Sequence, residues 1–233
     1  MLTPKDRLIV ALDFTTQSPA LAMAKQLKGL VRTMKIGSVL FTACGPEIIR
    51  RVRRLGFEVM LDLKFHDIPS TVGLSCRAAV QHRVALLTVH TSGEQRMLEA
   101  AVAAVRSESR LRNIHRPLVL GVTVLTSVGA KQQGSVQSRI LSLSYSAQKA
   151  GCDGVVASAQ EAKALRRRFK NRLRIVCPGI RPSWASAGDQ KRICTPADAL
   201  ARGADWLVIG RPITTAPNPR LAAERILNEM EGS

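Results

Sequence analysis

Aromatic residues are scarce in this chain: two Trp, one Tyr and five Phe among 233 residues, 3% in all. Single-stranded nucleic acids are held on stacked rings, so this composition argues against that class of binder. Five cysteines (Cys44, Cys76, Cys152, Cys177, Cys194) are widely spaced with no C-x-x-C pair, which reads as reduced thiols, not a disulfide framework or zinc site. Four histidines (His66, His82, His90, His115) also lack metal-ligand spacing, and no metal is expected. No apolar run approaches the ~20 residues that span a bilayer. The start "MLTPKDRLIVALDF" lacks the basic-then-apolar pattern of a secretion signal, so a cytoplasmic location is expected and no membrane partner. Acidic residues are short too, 17 against 35 basic, for a net charge of +18. Much of the surplus lies in "IIRRVRRLG" (48–56) and "KALRRRFKNRLR" (163–174). With no nucleic-acid motif of defined spacing, these clusters read as solvated helix faces. A basic nucleic-acid-binding protein is the alternative of another class. The positive field would in either case draw in an anionic substrate.

What the chain has in quantity is short β-rich runs. They fall at 7–14, 32–37, 57–65, 84–90, 117–127, 152–158, 173–179 and 205–211, near-continuous in Val, Ile and Leu. That is the pattern of strands buried on both faces, as in parallel sheets. Amphipathic helix-like segments lie between them, at 18–30, 45–56, 70–82, 93–109, 137–151, 158–170 and 195–204. Ser18 before Pro19 and Thr195 before Pro196 are expected helix starts. The alternation runs to the end without a linker, so residues 1–233 are expected to form a single domain of the α/β class, a (β/α)₈ TIM barrel. A doubly wound sheet would call for a G-x-G-x-x-G turn after the first strand, which is missing.

Barrels of this kind carry their chemistry at the C-terminal ends of the strands. Those ends hold Asp13, Lys35, Asp62 with Lys64, His90, Thr126 with Ser127, Ser158, Arg181 and Arg211. The two arginines follow strands seven and eight, each behind a glycine (Gly179, Gly210), where barrels often bind phosphate. Asp62 and Lys64 share parity on strand three and are expected to project into the barrel. Asp67 lies beyond the strand end, and Lys35 ends the neighbouring strand. Two cations and two anions nearly neutralise each other, which makes burial tolerable; spacing alone leaves a structural charge network and a catalytic one equally open.

The segment "DLKFHDIPSTV" (62–72) resembles the signature of the orotidine 5′-phosphate decarboxylase family, Asp-x-Lys-x-x-Asp-Ile-Pro-x-Thr. "ALDF", "MKIG", "LTVHTSG", "VTVLTS", "GCDGVVAS", "PGIRP", "GDQKR", "TPADALARGADWLVIGRPIT" and "APNP" are similar to further blocks of that family, in its order, across essentially the whole chain. The resemblance implies cofactor-free decarboxylation of orotidine 5′-monophosphate to UMP in pyrimidine biosynthesis. It implies that Lys64 is the proton donor within a charged tetrad of Lys35, Asp62, Lys64 and Asp67. It further implies a homodimer in which Asp67, Ile68 and Thr71 reach the neighbouring site. Asp13 and Lys35 match ribose contacts, and Thr126 and Ser127 match the residues that read the pyrimidine. Arg181, Gln190, Gly210 and Arg211 match the phosphate site, with 182–189 as its lid. The chain departs from the pattern at Glu94, where a glycine is expected, and at Cys177, where threonine is commoner. The nearest rival is a metal-dependent relative, such as 3-keto-L-gulonate 6-phosphate decarboxylase or hexulose-phosphate synthase. Those place an acid near the second strand's end, where this chain has Lys35.

Overall fold

The computed structural model describes residues 2–124, 133–185 and 194–232. Eight parallel strands close into a barrel in sequence order. They are β1 (Leu8–Ala11), β2 (Thr33–Gly37), β3 (Glu58–Phe65), β4 (Leu86–His90), β5 (Leu118–Val122), β6 (Gly154–Val156), β7 (Arg174–Pro178) and β8 (Trp206–Ile209). All eight match runs expected from sequence. The run at 117–127 is shorter than expected because its partner β6 has only three residues, so the ladder between them ends at Val122↔Val156. Beyond it the backbone N–H of Thr123 still donates to the Val156 carbonyl.

The helices are α1 (Pro4–Arg7), α2 (Gln17–Gln26), α3 (Ser38–Cys44), α4 (Glu47–Arg54), α5 (Pro69–Gln81), α6 (Glu94–Leu111), α7 (Gln133–Ala150), α8 (Ala159–Phe169), α9 (Pro196–Ala201), α10 (Arg211–Thr214) and α11 (Pro219–Glu231). Thr195 caps α9 as expected, accepting from Asp198 N at 3.2 Å. Ser18 does not cap α2; Thr16 precedes it, and Pro19 sits in the first turn, where a missing N–H removes no helical bond. The last helix, α11, was not among the expected segments. Asn218 caps it through its side chain, and Pro219 occupies its first position.

Two apolar layers hold the barrel together. Inside lie Ile9, Met60, Leu86, Leu120, Val156, Val176 and Val208. The larger layer fills the space between strands and helices, with Leu8, Leu12, Met34, Ile36, Ile48 and Leu87 fully buried. The β1–β8 seam that closes the ring pairs Leu8 with Leu207 and Val10 with Ile209. Arg7 donates to the carbonyls of Ala204 and Asp205, and Trp206 Nε1 donates to Asp6 O, fastening the lower end of that seam.

Parts of both basic clusters are structural. Arg50 and Arg51 on α4 gather on Glu47. Arg166 on α8 donates to Gly203 O and pairs with Asp205, which Arg174 also approaches at 3.3 Å.

Candidate active site

The strand ends open into a cavity of about 280 Å³ at the C-terminal end of the barrel. Its charged wall comes from the first three strands. Lys35 Nζ lies 3.1 Å from Asp13 Oδ1 and 3.5 Å from Asp62 Oδ2. Lys64 Nζ donates to the same Asp62 oxygen at 3.0 Å. The other oxygen of Asp62 accepts from Thr88 Oγ1 at 3.0 Å. Asp62 and Lys35 are each only 9% exposed, so the centre of this chain of alternating charge (Asp13, Lys35, Asp62, Lys64) is buried, while Lys64 is half-buried and Asp13 lies exposed at the rim. Burial pushes the Asp62 carboxyl up, but the Lys35 and Lys64 ammoniums and the hydrogen bonds from Lys64 and Thr88 outweigh it. The result lies below the ordinary value of 3.8.

Asp62 and Lys64 do meet inside the barrel, though regular strand parity is not what brings them there. The β3–β4 register jumps from Leu61↔Leu87 to Phe65↔Val89, so β3 carries two extra residues in a bulge. Within it Lys64 adopts φ +51°, a left-handed conformation costly for a non-glycine residue. Its backbone N–H donates to Thr88 Oγ1 at 2.9 Å. Thr88 is thus the hinge pin of the bulge, joining the strained backbone to the Asp62 carboxylate. Such strain persists where surrounding contacts over-determine it.

Two contributors escaped the sequence reading. Thr88 shares parity with the interior residue Leu86 and is fully buried; a hydroxyl in an apolar strand was the available signal. Gly37 ends β2, and a Cβ there would stand 2.9 Å from Lys35 Nζ and 3.3 Å from Asp13 Oδ1. Its missing side chain leaves the ammonium room to reach both carboxylates.

The opposite wall is apolar, with Val122, Val124, Val156, Pro178 and Val208, and it rises to Gly179, Arg181, Gly210 and Arg211. Gly179 sits at φ +75°, which favours glycine, while Gly210 has negative φ and is not required by its backbone. Arg181 is buried and Arg211, at the start of α10, is exposed. Trp184 lies past Arg181 with its ring 4.5 Å from the Arg225 guanidinium of α11, a cation–π contact. Thr126, Ser127 and Gln190 fall outside the described residues.

Asp67 does not join the charged chain within one copy. Its carboxylate accepts from Ile68 N at 2.6 Å, and among the described residues it forms no ion pair. Asp67, Ile68 and Thr71 are all exposed, Ile68 by 64%. Ser158 serves as the cap of α8, accepting from Gln160 N. His90 stacks on His66 with ring centroids 5.1 Å apart. Burial, with His66, Lys64 and Arg139 nearby, holds its pKa below 6.5.

Comparison with known proteins decides the family. The model of the orotidine 5′-phosphate decarboxylase / HUMPS family matches residues 6–226. The chain belongs to this family. It is 47% identical over 230 residues to the orotidine 5′-phosphate decarboxylase of Halorhodospira halophila, covering 96% of this chain and 95% of the relative. It is 43% identical over 236 residues to the enzyme of that name from Hydrogenovibrio crunogenus, covering 99% and 96%. The crystal structure of orotidine 5′-phosphate decarboxylase from Lactobacillus acidophilus superposes with a TM-score of 0.83 at 31% identity, over 97% of this chain and 99% of that one.

Proposed function

We propose that this chain decarboxylates orotidine 5′-monophosphate to UMP and CO₂, the orotidine 5′-phosphate decarboxylase reaction of pyrimidine biosynthesis. The observation that carries the reading is the Asp13–Lys35–Asp62–Lys64 chain of alternating charge, buried at its centre, facing Arg181 and Arg211 across one cavity. The family model takes in the HUMPS branch as well, but the relatives above at 43% and 47% identity bear the decarboxylase name.

Breaking the bond from C6 to the carboxylate leaves its electron pair on a vinylic carbon with little resonance stabilisation. The Lys64 ammonium supplies positive charge where that pair develops and then gives its proton to C6. Asp62 fixes the ammonium through the 3.0 Å bond and lies where it would also repel the departing carboxylate, a secondary effect. Lys35 neutralises Asp62 and, with Asp13, presents the pair of groups suited to ribose hydroxyls. A cation beside Asp62 disfavours a divalent metal there, which speaks against the metal-dependent branch.

Arg181, Arg211 and Gln190 hold the phosphate, and Thr126 and Ser127 read the pyrimidine. Residues 182–189 act as the lid, so that binding energy from the unreacting phosphate drives closure. The protein is a homodimer in which Asp67, Ile68 and Thr71 of one copy complete the site of the other. The exposure of all three, and the lack of an ion pair for Asp67 among the described residues, support this. No helix of the described residues is long and apolar enough to cross a membrane, and a cytoplasmic location suits the pathway.

The decisive test is ultraviolet absorbance of orotidine 5′-monophosphate mixed with the protein in excess EDTA. Conversion to UMP is expected. Inactivity until Mg²⁺ and a sugar phosphate are supplied would move the assignment to the metal-dependent branch.

A further inference from the structure

A second cavity lies at the other end of the barrel, where α6 finishes and the chain turns into β5. It measures about 360 Å³ and is lined by Arg106, Ser109, Arg110, Asn113, Ile114 and Arg116. Arg106 and Arg110 stand one turn apart on α6 and so share a face. Among the described residues, neither has a carboxylate within ion-pair distance. The nearby acid of α6, Glu108, is already engaged by Arg112 Nε and Gln81 Nε2. Arg116 is held by Asp153 through both terminal nitrogens, at 2.9 and 2.5 Å, and Asp153 also accepts from Val119 N. Three guanidiniums therefore meet a single carboxylate whose oxygens are occupied, which leaves a cationic surplus around the cavity.

Two further features set this cavity apart from a patch of surface arginines. Ser109 is 4% exposed and its hydroxyl has no hydrogen-bond partner among the described residues, an arrangement that folded proteins seldom show. Gly151, at φ +85°, lies under Arg106, and a Cβ there would come 3.2 Å from Nη2. The bare backbone gives that guanidinium its seat. The lining contains no aromatic ring and a single apolar side chain, so it offers nothing for a base to stack on. Planar guanidinium forks suit phosphate oxygens, two bonds at a time.

We propose that this cavity is a binding site for a compact phosphate anion, inorganic pyrophosphate or the phosphate tail of a nucleotide, separate from the cavity at the strand C-termini. Asn113 supplies neutral hydrogen bonds, and the arginines supply charge, with the Ser109 hydroxyl buried behind them.

Calorimetric titration of the full chain with inorganic pyrophosphate tests it, comparing wild type, R106Q/R110Q and Arg211→Ala. R106Q/R110Q is expected to lose at least tenfold in affinity at one site while keeping wild-type turnover and melting behaviour. Arg211→Ala is expected to keep that site. Both exchanged arginines are exposed, so folding should survive; should the double variant fail to fold, R110Q alone carries the same test. Equal affinity for pyrophosphate and a nucleoside triphosphate would assign recognition to phosphate alone, and tighter nucleotide binding would assign it to a nucleotide. Binding that R106Q/R110Q leaves intact, or that Arg211→Ala abolishes entirely, would overturn the proposal. Neither result bears on whether the C-terminal cavity decarboxylates.

Discussion

The charged and apolar walls of the C-terminal cavity handle the same problem, burying polar groups, in opposite ways. On β1 to β3 the ions sit within the strands or two residues past them, each cation touching an anion, so that Asp62 contacts two lysines and a threonine hydroxyl at once. On β5 to β8 the strands stay apolar up to Val122, Val156, Pro178 and Val208, and the cations wait in the segments that follow. The first wall is rigid and preorganised, as stabilisation of a developing charge requires. The second carries its cations beyond the strand ends, Arg181 buried and Arg211 opening α10, which suits the phosphate role proposed for them. A change on the charged wall should therefore strike the chemical step, and a change on the other should strike binding.

Lys64→Ala breaks this contrast most severely. On the proposed mechanism it removes both the cation at the reacting carbon and the proton source, so kcat should fall by at least about a thousandfold while the fold persists. Steady-state rates beside a circular dichroism melt would check it; most of the activity surviving would sink the assignment of Lys64.

Arg211→Ala should act on the other wall. If Arg211 holds the phosphate as proposed, its loss is expected to lower kcat/KM on the order of a hundredfold. A truncated substrate lacking phosphate should then show little difference between the variant and wild type. A loss under tenfold with the full substrate would remove Arg211 from the site.

Thr88→Val probes what lies behind the charged wall. The substitution keeps shape but deprives Asp62 of one hydrogen bond and the Lys64 N–H of its acceptor. We expect kcat to fall roughly tenfold, the scale of one hydrogen bond to a charged group. The pH dependence carries a definite sign. The carboxyl of Asp62 is held below 3.8 in the folded protein, so its contribution to stability is complete above that value and is lost as pH falls through the lowered one. Without the Thr88 bond the folded pKa should rise toward 3.8, and acid unfolding should begin at higher pH than in wild type. An unchanged acid limb would show that Thr88 does not tune Asp62.

The barrel itself was open to reading because buried parallel strands must be apolar along their length, and all eight announce themselves in that way. The charged residues of β3 were visible for the converse reason: ions in such a run call for explanation. What could not be read was how they meet. Period-two alternation predicts Asp62 and Lys64 on one face, but the bulge and the left-handed Lys64 depend on a threonine two dozen residues later. Gly37 was similarly opaque, since nothing in "MKIG" says that the glycine makes space for an ammonium. The helix α11 has no following strand among the described residues to mark its end, so its cap Asn218 and Pro219 stand alone as signals. A role that depends on a second copy, as proposed for Asp67, leaves no imprint on one chain's periodicity.

Glu94 offers the finest test of the contrast, because it shares with Lys64 a left-handed backbone near neighbouring strand ends. Lys64 has φ +51° and Glu94 φ +66°, the latter where the family resemblance leads one to expect glycine. The strain at Lys64 serves to aim a side chain that the site uses; no ion pair of Glu94 is found among the described residues. Glu94→Gly should therefore relieve strain of about 1 kcal/mol, partly offset by the greater freedom of glycine in the unfolded chain. For a domain of this size the net gain raises Tm by at most roughly 2 °C, with kcat unchanged. Lys64→Gly would relieve comparable strain yet abolish turnover. If Glu94→Gly instead slowed the reaction, the rim after β4 would belong to the working part of the site, and the charged wall would extend one strand further than its ion pairs indicate.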